Sequence, residues 1–127
     1  MLKRDGEATQ IGCPSCAGVL SSFNEGREDF VRYVCSMGHS FSTTALAEAK
    51  EDQLEHAMWA AISMLMHLEM VYADLLEQCG AGLVSVDTGR IEARIRQVRQ
   101  YAEQLRALVE HDQPPALDVR GRPTDAI

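Results

Sequence analysis

Cys13-Pro14-Ser15-Cys16 and, after a gap of 18 residues, Cys35-Ser36-Met37-Gly38-His39 are the stretches that decide the fold of this chain. A Cys-x-x-Cys pair sends two thiolates to one side of a tight turn. Pro14 restricts the backbone of that turn. Gly18 and Gly38 lie just past and within the two knuckles, where positive φ is often needed. Three sulfurs and one imidazole converging from two turns match a tetrahedral Cys3His zinc site, and the gap leaves room for a β-hairpin. Four protein ligands leave no position for water, so the expected zinc is structural, held by Cys13, Cys16, Cys35 and His39. Ligation needs thiolates and a neutral imidazole, so binding should release protons and weaken in acid. The competing readings are a disulfide or a redox dithiol at Cys13 and Cys16. A thioredoxin-like dithiol sits between a strand and a helix of a βαβ pattern, which this sequence lacks.

Working outward, Val19-Leu20-Ser21-Ser22-Phe23 reads as one short strand and Asn24-Glu25-Gly26-Arg27 as a turn. Phe30 to Cys35 alternates as a second strand, with Val31, Tyr33 and Cys35 on one face. The expected unit is therefore a zinc ribbon over residues 11–41, preceded by a polar, mobile leader at 1–10. About thirty residues bury little core, so the metal should supply much of the stability.

From Ser42 the pattern becomes helical. Ser42, Thr43 and Thr44 offer N-cap hydroxyls, and no proline or glycine follows until Gly80. Leu54, Met58, Ala61, Leu65, Leu68, Tyr72, Leu75 and Cys79 recur in steps of four and three, an apolar seam along a helix over about 44–78. Gly80-Ala81-Gly82 should end it. Asp87 or Thr88 should cap a second helix over 88–110, with a seam of Ile91, Ile95, Val98, Ala102, Leu105 and Val109. A short connection makes the pair antiparallel. The expected fold class is α+β, mostly α: a small zinc ribbon followed by a long helical hairpin (42–111), with a disordered tail over 112–127 after Pro114-Pro115.

Charge narrows the function. The 127 residues carry a formal net charge of −7, against broad binding of phosphate backbones. Between Ala47 and Gln78 there are seven acidic residues and one lysine; between Arg90 and Glu110 there are five arginines and three glutamates. Complementary rims on an antiparallel pair are the simplest reading; an arginine face meeting an acidic protein is the sharper one. No apolar run of about 18 residues is evident, so no membrane span is expected. Residues 1–12 lack the apolar core of a secretory signal, and the metal-type cysteines suit a reducing cytoplasm. Cys79 reads as a small buried hydrophobe.

No nucleophile elbow, phosphate loop or His-Glu-x-x-His motif occurs, and His56 and His67 are 11 residues apart, too far to share a metal on one helix. The chain is expected not to be an enzyme. The apolar residues of the first helix exceed what one seam covers. Met58, Trp59, Ile62, Leu65 and Met66 are therefore the expected interaction surface, for a homodimer or a partner helix, unless the ribbon folds back over them.

Ile11-Gly-Cys-Pro-Ser-Cys-Ala-Gly-Val-Leu20, Phe30-Val-Arg-Tyr-Val-Cys-Ser-Met-Gly-His-Ser-Phe-Ser42 and Ala57-Met-Trp-Ala-Ala-Ile62 resemble a known extension. It is the C-terminal zinc ribbon and helix of some bacterial chemotaxis protein-glutamate methylesterase homologues, with a pattern similar to CPxCxGxL, FxCxxGHxFS and ALWxALR. The resemblance covers roughly residues 11–78. It implies the same four metal ligands and a bacterial chemosensory or two-component setting. Ile62-Ser63 stands where that pattern has Leu-Arg. Nothing here matches the methylesterase catalytic domain, so its hydrolase activity is not implied. The expected function is a zinc-stabilised, non-catalytic interaction module. The alternatives are a nucleic-acid-binding ribbon and a redox- or zinc-sensing regulator. The first is opposed by four basic against five acidic residues over positions 1–40.

Overall fold

The computed structural model describes residues 6–24 and 31–117. Four strands are followed by two helices: β1 (Glu7–Gly12), β2 (Val19–Asn24), β3 (Val31–Val34), β4 (Ser40–Ser42), α1 (Thr43–Gly80) and α2 (Thr88–Glu110). The chain divides into two compact units. One comprises the residues up to Gln53 with the segment from Pro114; the other is Leu54–Gln113.

In the first unit the strands form one antiparallel sheet in the order β1-β2-β3-β4. The expected hairpin is its centre, β2 and β3, paired Ser21↔Val34 through Asn24↔Val31. Two edge strands join it. The mobile leader expected over 1–10 gives way from Glu7 to β1, a correction with a physical cause. The polar run Glu7-Ala8-Thr9-Gln10 has weak strand propensity, and its ladder is interrupted between Ala8 and Gly12. At that irregularity the Thr9 hydroxyl donates to the Leu20 carbonyl (2.8 Å) and accepts from the Ile11 N–H (3.0 Å), replacing ladder bonds with side-chain ones. β4 is three residues long and follows directly from the second knuckle. Arg32 on β3 clasps the Ser40 hydroxyl through Nε and Nη2, at 2.9 and 2.6 Å. The turn expected at 25–27, Phe30, and the tail from residue 118 lie outside the described residues.

Cys13, Leu20, Cys35 and Leu46 form the small core of this unit, with Tyr33 and Phe41 packed against it. Tyr33 and Cys35 share a face of β3 as the period of two requires, and Tyr33 sits directly across from Phe41. Two of the four core residues are also knuckle cysteines, so core and candidate metal site are one structure.

α1 starts one residue earlier and ends two residues later than expected. Ser42 wins the capping competition: its hydroxyl accepts from the Ala45 N–H at 3.1 Å. Two residues past the helix end, Gly82 turns the chain away with φ of 81°, which only glycine adopts easily. The Leu83 N–H then returns to the Gln78 carbonyl and the Gly82 N–H to the Cys79 carbonyl, the paired bonds of a Schellman turn. Asp87 caps α2, accepting from the Arg90 N–H at 3.2 Å. Asp87→Ala should cost about 1 kcal/mol, read as a lower melting temperature of the helical signal.

The helices of the second unit run antiparallel, since Glu69 meets Arg99 and, earlier on α1, Trp59 and Met66 meet Arg106. Ile62, Val98 and Val109 are its buried hydrophobic side chains among the described residues. Ile62, expected on the interaction surface, is only 2% exposed and instead holds the hairpin together. The expectation that nothing here is apolar enough to cross a membrane also needs correction. By length and composition alone α1 qualifies, because its alanines and methionines raise the average without a continuous Leu/Ile/Val run. Glu69, within that stretch, is paired with Arg99.

Candidate metal centre

The two knuckles are built by backbone turns. In the first, the Cys13 N–H donates to the Gly18 carbonyl (2.7 Å) and the Ala17 N–H to the Cys13 carbonyl (2.8 Å). In the second, the Cys35 N–H reaches the His39 carbonyl and the Gly38 N–H the Cys35 carbonyl, both at 3.0 Å. Gly38 has φ of 96°, as its place in the knuckle suggests. In the first knuckle the left-handed residue is not Gly18 but Ala17, with φ of 67°. A Cβ there is strained. Ala17→Gly should therefore stabilise the unit by about 0.5–1 kcal/mol, seen as a higher melting temperature of the metal-loaded chain.

These turns bring together all four expected ligands. The sulfurs of Cys13, Cys16 and Cys35 and a ring nitrogen of His39 lie within 4.8 Å of one another. The individual edges are Cys16 Sγ to Cys35 Sγ at 3.6 Å, Cys13 Sγ to His39 Nδ1 at 3.7 Å and Cys35 Sγ to His39 Nδ1 at 3.3 Å. A tetrahedral ion with metal–sulfur bonds of about 2.3 Å and metal–nitrogen bonds of about 2.0–2.1 Å has edges of roughly 3.5–3.8 Å. The three edges agree with that figure to within a few tenths of an ångström. A disulfide would need sulfurs about 2.05 Å apart, and all four cysteines are free. Cys79 lies on α1, outside the cluster, half-buried as a hydrophobe would be. His56, His67 and His111 also stand outside it.

The electrostatics suit a cation. Burial pushes the Cys35 thiol up. The backbone N–H groups of His39 and Met37, aided by the Cys16 and His39 side chains, outweigh it and bring the thiol down to about 6. Cys16 goes the other way. The Gly18 amide lowers it, but desolvation and the neighbouring Cys35 and Cys13 leave it above the ordinary thiol value. Without metal, Cys16 thus keeps its proton and shares it with the Cys35 thiolate. The Ser15 N–H points at the Cys13 sulfur from 3.4 Å, a further backbone donor toward developing thiolate charge.

Exposed apolar side chains concentrate on the second unit. Trp59, Met64, Met66, Met70, Val71, Tyr101 and Leu108 are all exposed. Of the expected interaction residues, Met58 and Leu65 are half-buried along the hairpin seam and Trp59 and Met66 lie beside Arg106. No family model, curated protein sequence or solved structure matches the chain.

Proposed function

We propose that this chain is a zinc-stabilised, non-catalytic module for protein interaction. The observation that carries it is the combination of a closed four-donor centre with a helical hairpin whose apolar surface is largely uncovered. Three thiolates and an imidazole at tetrahedral spacing suit zinc better than hard, oxygen-seeking cations. With all four positions taken by the protein, the ion's work is to hold β2, β3 and the knuckles in register. The hairpin then supplies the recognition surface. Exposed methionines and a tryptophan are the adaptable contacts that partner helices use.

The resemblance of residues 11–78 to the methylesterase extension supports a place in bacterial chemosensory or two-component signalling, in the cytoplasm, as part of the same proposal. The test is a pull-down from native lysate with zinc-loaded chain beside a Cys13→Ser/Cys16→Ser control. Capture of a signalling protein by the loaded chain alone is expected. Equal capture by both would break the link between zinc and recognition.

A further inference from the structure

The three ligand sulfurs are not equally open. Cys13 is fully buried and Cys35 is 5% exposed, whereas Cys16 is exposed. Gly18 helps to keep it so. A Cβ at that position would stand 3.5 Å from the Cys16 sulfur, and glycine leaves that space empty. Cys13 is further enclosed by the Ser15 N–H at 3.4 Å. The open sulfur also has a second one within reach: Cys35 Sγ, on the other knuckle, lies 3.6 Å away. A disulfide needs about 2.05 Å, so closing the gap asks for side-chain motion and for no new partner.

An accessible thiolate beside a sheltered one is the arrangement on which two-electron oxidants act selectively. Metal ligation already requires both sulfurs as thiolates. With hydrogen peroxide the chemistry balances. The Cys16 thiolate attacks one peroxide oxygen, the O–O bond breaks and hydroxide leaves, so Cys16 becomes a sulfenic acid. The Cys35 thiolate then attacks the Cys16 sulfur, the S–O bond breaks, a second hydroxide leaves and the S–S bond forms. Two thiolates have given up two electrons, and one peroxide has become two hydroxides that solvent protonates to water. Only Cys13 and His39 remain as donors, too few for a four-coordinate protein site. Cys13 and Cys35 are also half of this unit's four-residue core, so the change reaches the sheet.

We propose that Cys16 and Cys35 form a peroxide-sensitive switch, in which oxidation of the open Cys16 thiolate ties the two knuckles together by a disulfide and empties the metal centre. This rests on the zinc-stabilised reading and supplies its regulation. The test treats the zinc-loaded full chain with hydrogen peroxide, follows zinc release with a chromogenic indicator and maps disulfides by mass spectrometry of unreduced peptides. Loss of one zinc per chain in step with one Cys16–Cys35 link is expected, with recovery of the loaded form after dithiothreitol and fresh zinc. Cys79→Ala should behave in the same way, since Cys79 stands outside the cluster.

Cys16→His keeps four donors but removes the sulfur pair, and should hold its zinc under peroxide. Should that variant bind no zinc, Gly18→Val decides. Gly18 is not in the left-handed region, so its backbone accepts a side chain; the added bulk covers the Cys16 sulfur and should slow release while the starting zinc content stays at one per chain. Zinc retained with Cys16 and Cys35 both free after peroxide, a Cys13–Cys16 link in place of Cys16–Cys35, or release from Gly18→Val or Cys16→His as fast as from the unaltered chain would overturn the switch. A chain that binds no zinc removes the zinc-stabilised reading along with it; a one-zinc chain that ignores peroxide removes the switch alone.

Discussion

Cys35→Ser is expected to unfold the metal unit while the helical hairpin remains. Cys35 is 5% exposed and belongs at once to the ligand set and to the four-residue core with Cys13, Leu20 and Leu46. Structural zinc contributes on the order of 10–16 kcal/mol of apparent binding free energy to domains of this kind. A sheet this small has only a few kcal/mol of net stability to lose. Removing one thiolate therefore exceeds the reserve several-fold. The readout is the near-ultraviolet signal of Tyr33 and the amide dispersion of Leu20, Tyr33 and Phe41, all of which should collapse. Zinc content should fall below one ion per chain. Helical ellipticity from Leu54–Glu110 should largely persist, because no ligand lies there. Native sheet resonances in metal-free Cys35→Ser would show that the strands fold without the ion.

The second large effect belongs to the hairpin. Val98→Asp should abolish it. Val98 is fully buried, and Ile62, on the facing helix, is 2% exposed. An uncompensated carboxylate in that position costs several kcal/mol, and the unit has only three buried side chains to resist it. Ile62→Ala should be milder, about 2–4 kcal/mol for a cavity elsewhere in the same seam. Ser63→Asp, exposed on α1, should change little. The measurement is urea unfolding followed at 222 nm. Equal midpoints for Val98→Asp and Ser63→Asp would mean that α1 and α2 do not pack as described.

The metal quartet was legible in the sequence because ligation restricts both residue type and spacing: Cys13, Cys16, Cys35 and His39 had few other ways to be useful so close together. The helices were legible because Leu65, Val98 and their seam neighbours repeat with the helical period, and Ser42 and Asp87 bring hydroxyl and carboxylate to the capping positions. The edge strands were not. β1 is polar and interrupted, and its pairing relies on the Thr9 hydroxyl reaching Leu20, a long-range bond that no local pattern announces. Ala17, whose N–H closes the turn onto the Cys13 carbonyl, carries the left-handed conformation in place of Gly18, and residue type alone does not tell the two positions apart. Ile62 was misplaced onto the outer surface for a different reason. α1 is apolar around most of its circumference, so periodicity alone cannot say which flank meets α2. The cross-helix contacts of Arg99 with Glu69 and Arg106 with Trp59 decide it.

The central claim is that the quartet holds one zinc ion through three sulfurs and one imidazole nitrogen. It is tested most directly by X-ray absorption at the zinc edge, with metal stoichiometry, on chain purified under reducing conditions with zinc present. One zinc per chain with three sulfurs near 2.3 Å and one nitrogen near 2.0–2.1 Å is the predicted shell. Substoichiometric zinc, or a shell dominated by oxygen, would contradict it.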